Sequence, residues 1–401
     1  MTTVIYGGSF NPPHLGHVSA ARSVYEALRP DRFLIIPTNI APHKAAAAGS
    51  PDAAARLRMC RLAFADIPGA EVSTLEMERE GKSYTADTIG ILREKYPEDE
   101  LYLVVGTDMF LSFREWHEYK YLLDSCTLAV LSRETDDRGE ICSFKQRLES
   151  EDGARVRLIE HEPLPMSSAE IRARLPRAEG AELLDDGVYS LIIKNRWYAA
   201  KPELRWLREK VRPYLTEKRA RHVAGCEEQA VKLARRWGAD VYEAAEAGIL
   251  HDITKKLSDE EQLIMCDKYG IILDAAERRN PRILHARTGA ALAREEFGIP
   301  DGIYSAIRWH TTGKPDMSLM EKIIYLADFT EPTRDFEGVE PLRKLCFEDI
   351  DRAMELGLRM SLEEIRSRGE DAYKDTVDAY RWYRDNAAAL TENKKGGSAT
   401  C

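Results

Sequence analysis

Four short apolar runs rich in β-branched residues, Val4 to Tyr6, Arg32 to Ile36, Leu101 to Val105 and Thr127 to Leu131, are separated by segments with helical spacing. Strands that alternate with helices return to the same sheet by crossovers, so this alternation calls for a parallel, doubly wound sheet with helices on its faces. Helices are expected after His14, over Ala53 to Ala65 and over Tyr84 to Lys95, the last stopped by Pro97. Near Trp197 to Pro202 the texture changes. Long helical patterns run from there to about Ala388 without a convincing strand. Within Arg221 to Trp237, His222, Cys226, Ala230, Leu233 and Trp237 recur on one helical face. Asp240 with Glu243 forms a capping pattern ahead of the run to His251. The expected organisation is an α/β domain over 1–198, an all-α domain over 199–390 and a polar, Gly/Ser-containing tail over 391–401, with no internal repeat.

The 401 residues, 44% apolar, suffice for two hydrophobic cores. A formal net charge of -10 argues against a nucleic-acid binder and leaves small polyphosphates as the natural anionic ligands. Seven scattered cysteines without a C-x-x-C pair do not build a disulfide framework and suit a reducing cytoplasm. No leader-like segment or membrane-length apolar run is present, so the expectation is a cytoplasmic protein that engages no membrane.

Chemistry concentrates first at Gly7 to His17, GGSFNPPHLGH, directly after the first apolar run. Gly7 and Gly8 let backbone approach an anion, Pro12 and Pro13 set the entry to a helix, and the N–H groups at that helix start favour phosphate. His14 and His17, three apart, share one face. In a doubly wound sheet the ligand lies at the carboxyl ends of the strands, where this turn and Gly106-Thr107-Asp108 both fall. Ser167 and Ser168, ahead of a helix starting near Ala169 that carries Arg172, form a second anion-binding helix start.

The turn resembles the (H/T)xGH signature of the nucleotidylyltransferase superfamily, with its Rossmann-like sheet, in the form of bacterial nicotinate-nucleotide adenylyltransferases. Pro165 to Arg172 is similar to that family's ISSTxIR element, with Ala169 where threonine is usual. Ser83 to Thr88 resembles SYTxDT, and Gly106 to Asp108 with Trp116 resembles GxDxxxxxxxW. The resemblance covers Met1 to about Tyr198. It implies adenylyl transfer from ATP, accompanied by Mg2+, to nicotinate mononucleotide, with His14, His17 and Arg172 catalytic. It further implies phosphate or ATP contacts at Gly7, Gly8, Ser9, Lys44, Asp108, Arg133, Ser167 and Ser168, and nicotinate contacts at Thr85 and Trp116. Another acceptor specificity within the same superfamily is the open alternative.

The helical half contains four histidines, His222, His251, His285 and His310. His251 is followed by Asp252, and Asp328 interrupts the apolar run Ile323 to Phe329. A carboxylate in such surroundings is costly unless paired or bound to metal. The set resembles the HD-domain phosphohydrolases. HDITK, ILHARTGA, RWHTTG and IIYLADFTEP, within Leu204 to about Tyr383, are similar to the branch that splits diadenosine tetraphosphate symmetrically into two ADP. The resemblance implies two metal ions, with His222, His251, Asp252 and Asp328 on one and Asp252 bridging to a second held by His285 and His310. Asp252 is then also catalytic. Imidazole and carboxylate ligands suit iron, manganese or zinc, and the resemblance implies iron. Lys255 is a candidate phosphate contact, with a solvated helix-end lysine as its plain alternative. The alternative for this half as a whole is a metal-bound regulatory or nucleotide-binding module. The implied partners are ATP, nicotinate mononucleotide and dinucleoside polyphosphates; oligomeric state is left open.

Overall fold

The computed structural model describes residues 1–39, 49–79, 81–132, 138–279 and 281–396. By its contacts the chain divides into two compact units, Met1–Pro202 and Glu203–Cys401. Among the described residues no helix is long and apolar enough to cross a membrane, and the six described cysteines are all free.

In the first unit six strands, β1 (Thr2–Gly8), β2 (Arg32–Pro37), β3 (Ala70–Val72), β4 (Glu100–Gly106), β5 (Thr127–Ser132) and β6 (Val156–Glu160), form one sheet in the order β3-β2-β1-β4-β5-β6. Every neighbouring pair is parallel. The helices are α1 (Leu15–Leu28), α2 (Ala53–Ala63), α3 (Thr85–Lys95), α4 (Thr107–Leu111), α5 (Tyr119–Ser125), α6 (Arg138–Asp152), α7 (Ser168–Arg174) and α8 (Asp186–Asn195). The continuous apolar runs arise because the inner strands are covered on both sides: Phe33, Leu34, Ile35 and Ile36 are all buried in succession. Strand order reverses between β1 and β4, and this switch point is where doubly wound sheets open a crevice at their carboxyl ends. β1 ends on Gly7 and Gly8, paired with Ile36 and Pro37, so the loop that follows emerges at that crevice.

The second unit contains only helices as regular elements among its described residues: α9 (Leu204–Val211), α10 (Glu217–Trp237), α11 (Val241–Leu250), α12 (Asp259–Lys268), α13 (Ala275–Arg279), α14 (Leu284–Phe297), α15 (Asp301–Trp309), α16 (Leu319–Thr330), α17 (Val339–Glu348), α18 (Ile350–Ser367) and α19 (Lys374–Gly396), with 3-10 turns at Arg212–Tyr214 and Pro281–Ile283. Its core draws Cys226, Ala230 and Leu233 from α10, Ile249 and Leu250 from α11, Ala290 and Ala293 from α14, Ile303 and Ile307 from α15 and Ile323 to Ala327 from α16. Small residues set how closely these helices approach. A Cβ on Gly248 would lie 2.9 Å from the Cα of Glu227, so glycine is what lets α11 lie directly on the backbone of α10. Helix ends are capped by side chains: Thr216 accepts from the Arg219 N–H, Asp240 from Tyr242 and Glu243, and Ser258 and Ser318 form reciprocal capping boxes with Glu261 and Glu321. Helix α19 continues through Gly396, into the segment whose composition reads as a tail.

Candidate functional sites

In the first unit His14 is the extended residue that precedes α1, and His17 lies in the first turn. Their rings stack at 3.7 Å between centroids. The His14 backbone N–H donates to His17 Nδ1 at 3.2 Å, which leaves the His17 proton on Nε2, free to donate outward. Burial lowers His14 to about 4, and burial together with the neighbouring His14 lowers His17 to about 3. The pair is therefore neutral at physiological pH. His14 Nδ1 is buried without a hydrogen-bond partner, a demand that an added ligand or proton can meet. Below the pair, Phe10 packs edge-on against His17 at 5.0 Å. A Cβ on Gly8 would lie 2.9 Å from the Phe10 ring, so here glycine gives an aromatic side chain room under the loop.

The PMSSAEIR element is brought against this loop. Ser168 Oγ donates to the Pro12 carbonyl at 2.9 Å and Arg172 Nη1 to the Asn11 carbonyl at 2.6 Å, while Ser167 caps α7 by accepting from the Glu170 N–H. Ser168 and Arg172 thus fasten the loop from a helix more than 150 residues further along the chain. Tyr198 adds an O–H bond of 2.5 Å to Asn11 Oδ1. Thr85 opens α3, Asp108 is exposed in the first turn of α4, and half-buried Trp116 packs against Phe113 at 4.9 Å. Lys44 and Arg133 lie outside the described residues.

One further residue beside this loop is not marked by its sequence. Arg56, on α2 and buried, donates from Nη1 to the Ser9 and Thr38 carbonyls at 2.9 and 2.7 Å and from Nη2 to the Asn39 carbonyl at 3.0 Å. One guanidinium thereby ties together the segments leaving β1 and β2 and places its charge behind the phosphate-type turn. Nothing in the spacing of Ala53 to Ala63 distinguishes this arginine from Arg58 or Arg61.

In the second unit five helices converge on one cluster. His222 comes from α10, His251 from the end of α11 with Asp252 next to it, His285 from α14, His310 from the end of α15 and Asp328 from α16. His251, Asp252, His285 and His310 are at most 3% exposed. Asp252 Oδ2 lies 3.6 Å from His222 Nε2 and 3.5 Å from His251 Nε2. Its other oxygen, Oδ1, lies 3.4 Å from His285 Nε2 and 3.6 Å from His310 Nε2. Asp328 Oδ1 stands 3.0 Å from His222 Nε2 and 3.9 Å from His251 Nε2.

The outer nitrogens explain why all four rings point inward. His251 Nδ1 bonds the Gly248 carbonyl, His285 Nδ1 the Arg282 carbonyl and His310 Nδ1 the Ile307 carbonyl, each at 2.7 Å and each three residues back. His222 Nδ1 instead meets Glu331 Oε1 at 3.0 Å. Carbonyl and carboxylate oxygens only accept, so each Nδ1 carries a proton and each ring turns its Nε2 to the centre; against burial, Cys226 and Asp252 hold His251 well above its ordinary value. His222 and His251 bring these nitrogens within 3.3 Å of one another, His285 and His310 within 3.2 Å. Ring nitrogens gathered so closely around carboxylates suit a cation, and His222, His251 and Asp328, and likewise His251, Asp252 and His310, are grouped tightly enough to hold one.

Burial works against the charged Asp252 carboxyl, yet His251, His310 and His285 hold it well below the usual carboxylate range. Asp328, half-buried, is likewise held low, by the His222 hydrogen bond and the Arg334 charge. Burial, reinforced by Lys255, pushes His285 well below its ordinary value, the neutral form a ligand needs. Lys255 Nζ lies 3.2 Å from the His285 ring nitrogens. A cavity of about 190 Å³, lined by Lys255, Leu257, Gln262, Pro281, Arg282 and others, opens beside His285. Glu331, Arg219 and Arg334 were invisible to the sequence reading, because only the fold sets them on His222, Asp252 and Asp328.

The cytidylyltransferase-like family matches residues 5–174, and the HD domain matches residues 219–333. The symmetrical bis(5'-nucleosyl)-tetraphosphatase of Bacillus subtilis is 39% identical over 176 residues, 43% of this chain and 92% of that protein. The probable nicotinate-nucleotide adenylyltransferase of Geobacter sulfurreducens is 36% identical over 215 residues, 50% of this chain and 99% of that one. The chain belongs to both families, one in each unit. A solved HD superfamily hydrolase from Clostridium acetobutylicum, described as involved in NAD metabolism, is 35% identical, covering 45% of this chain and 97% of its own, with a TM-score of 0.44. The chain thus joins a nucleotidylyltransferase domain to an HD phosphohydrolase domain whose histidine and aspartate cluster suits divalent metal.

Proposed function

We propose that the first unit transfers the adenylyl group of ATP to nicotinate mononucleotide, giving nicotinate adenine dinucleotide and pyrophosphate. We propose that the second hydrolyses dinucleoside polyphosphates such as diadenosine tetraphosphate to two ADP. The observation that carries the first reading is the stacked His14 and His17 pair at the carboxyl end of β1, beside a helix start. The nucleophile is a phosphate already ionised at neutral pH, so the protein needs to supply in-line positioning and charge stabilisation, not a strong base. His17 Nε2–H and the α1 N–H groups donate to the ATP phosphates, and Arg56 keeps the loop in place from behind. In this reading Gly7, Gly8, Ser9 and Lys44 follow the phosphates, Thr85 and Trp116 border the nicotinate, and Asp108 and Arg133 lie by the nucleotide. Ser167, Ser168 and Arg172 hold the loop and face the polyphosphate, which Mg2+ accompanies.

The observation that carries the second reading is Asp252, which turns one oxygen to each histidine pair. His222, His251, Asp252 and Asp328 would hold one divalent ion, and Asp252, His285 and His310 a second; iron, manganese and zinc all suit this set. Such ions supply Lewis-acid polarisation of phosphate oxygens and an activated water. The protein's own part is to orient the ligands through Nδ1 and to meet the polyphosphate with Lys255. The test is product analysis of the full chain given ATP with nicotinate or nicotinamide mononucleotide, and separately given diadenosine tetraphosphate. Preference for the nicotinate acceptor, and ADP as the sole product of hydrolysis, are expected. Nucleotide binding by the second unit without hydrolysis would refute its assignment as an enzyme.

A further inference from the structure

Two arginines stand against the oxygens assigned above to a metal. Arg219, in the first turn of α10, places Nη1 2.6 Å from Asp252 Oδ2. Arg334, just beyond α16, places Nη2 2.7 Å from Asp328 Oδ1 and Nε 2.9 Å from the Asp328 carbonyl. These are the same oxygens that face His222 and His251. A divalent ion held by those four residues would have to share its carboxylate oxygens with the two guanidiniums, and like charges repel strongly in a dry site. Asp252 Oδ1, by contrast, faces His285 and His310, and no arginine is among its described contacts.

We propose that Arg219 and Arg334 are exchangeable counter-cations: they neutralise the two carboxylates in the metal-free protein, yield them to the incoming metal, and then bind phosphate oxygens of the substrate. This rests on reading the second unit as a metal phosphohydrolase. Three observations support it. The Asp252 side chain is 3% exposed and that of Asp328 19%, so without a cation their charges would be stranded in a poor solvent. The arginine side chains are 30% and 37% exposed, so they reach in from the solvent side, from which a substrate arrives. Finally, the guanidiniums are matched one to one with the carboxylates, Arg219 with Asp252 and Arg334 with Asp328. Two divalent ions then add the positive charge that a tetraphosphate chain, with one negative charge per phosphate, compensates. A guanidinium released from one carboxylate oxygen offers a planar fork of donors suited to phosphate. The Arg219 backbone stays fixed while its side chain moves, because its N–H is tied to Thr216 Oγ1.

The test is calorimetric titration of Mn2+ into the metal-stripped full chain, followed by titration of inorganic phosphate into the Mn2+-loaded protein. Arg219→Gln and Arg334→Gln are each expected to bind Mn2+ on the order of tenfold more tightly, since a competing cation is gone, and inorganic phosphate on the order of tenfold more weakly. Arg219→Lys keeps the charge and is expected to retain an Mn2+ affinity near wild type, which guards against misfolding of the glutamine variants. Weaker Mn2+ binding by the glutamine variants would make the arginines mere props for the carboxylates and overturn the proposal. Unchanged affinities for both probes would overturn it too. A wild-type chain that binds no Mn2+, Fe2+ or Zn2+ would instead overturn the metal reading beneath it.

Discussion

Glu331→Gln tests how the cluster is oriented while leaving side-chain volume nearly unchanged. Glu331 is fully buried and accepts three hydrogen bonds: from His222 Nδ1 at 3.0 Å, from the Thr333 N–H at 2.6 Å and from Thr333 Oγ1 at 2.5 Å. A carboxylate can accept all three, whereas an amide must turn its NH2 toward one donor. With the NH2 toward Thr333, a backbone donor is left unpaired. With it toward His222, the ring must move or shift its proton to Nε2, the atom proposed to hold the metal. Loss of such an outer partner costs about 10 to 100-fold in metal affinity, or about 1.4 to 2.7 kcal/mol. Mn2+ titration of the full chain reads this directly, and adenylyl transfer by the first unit serves as an internal control that should not change. Gly225→Ala should act in the same direction, because its Cβ would fall 2.5 Å from Glu331 Oε2. Wild-type Mn2+ affinity in a folded Glu331→Gln chain would refute the reasoning.

Arg56→Met should destabilise the first unit by about 2 to 4 kcal/mol, since three carbonyls lose a buried donor. It should also lower kcat/KM for adenylyl transfer without touching the hydrolase, as thermal melts and separate assays would report. His14 and His17 are lowered from 6.5 to about 4 and about 3 in the folded chain, so the unfolded chain binds their protons first as pH falls. Their contribution to stability should therefore be intact above about pH 6.5 and erode from there down toward pH 3, a slope that denaturant titrations should find reduced in His14→Gln. The bound polyphosphate favours the protonated rings, so ATP binding near pH 6 should take up protons, measurable as a buffer-dependent heat. Stripping metal with a chelator and restoring only Mg2+ should abolish hydrolysis of diadenosine tetraphosphate and lower the melting temperature of the second unit. Adenylyl transfer should be unaffected.

The inner strands were legible in the sequence because burial on both faces writes them as unbroken apolar runs, as in Phe33 to Ile36. The edge strands were not. Ala70–Val72 is only three residues long, and Val156–Glu160 alternates buried positions with the exposed Arg157 and Glu160, a pattern that a short loop shares. The same contrast governs the sites. His251-Asp252 and the apolar surroundings of Asp328 mark themselves, because buried ionisable groups are costly enough to stand out of a helical pattern. Glu331, Arg219, Arg334 and Arg56 look like ordinary polar residues until the fold sets them on a ring nitrogen, a carboxylate or a carbonyl. Ser168 and Arg172 show a third case. Their motif was legible, but their hydrogen bonds to Pro12 and Asn11, which tie the loop down, depend on a contact across more than 150 residues.

Two chemically independent active sites on one chain can be separated by mutation, and the proposed function stands on that independence. Product analysis of wild type, His17→Ala and Asp252→Asn in full-length form, each supplied with ATP and nicotinate mononucleotide or with diadenosine tetraphosphate, tests it most directly. His17→Ala is expected to lose most adenylyl transfer while hydrolysis continues, and Asp252→Asn the reverse. Loss of both reactions in either folded variant, or near-normal adenylyl transfer by His17→Ala, would contradict it.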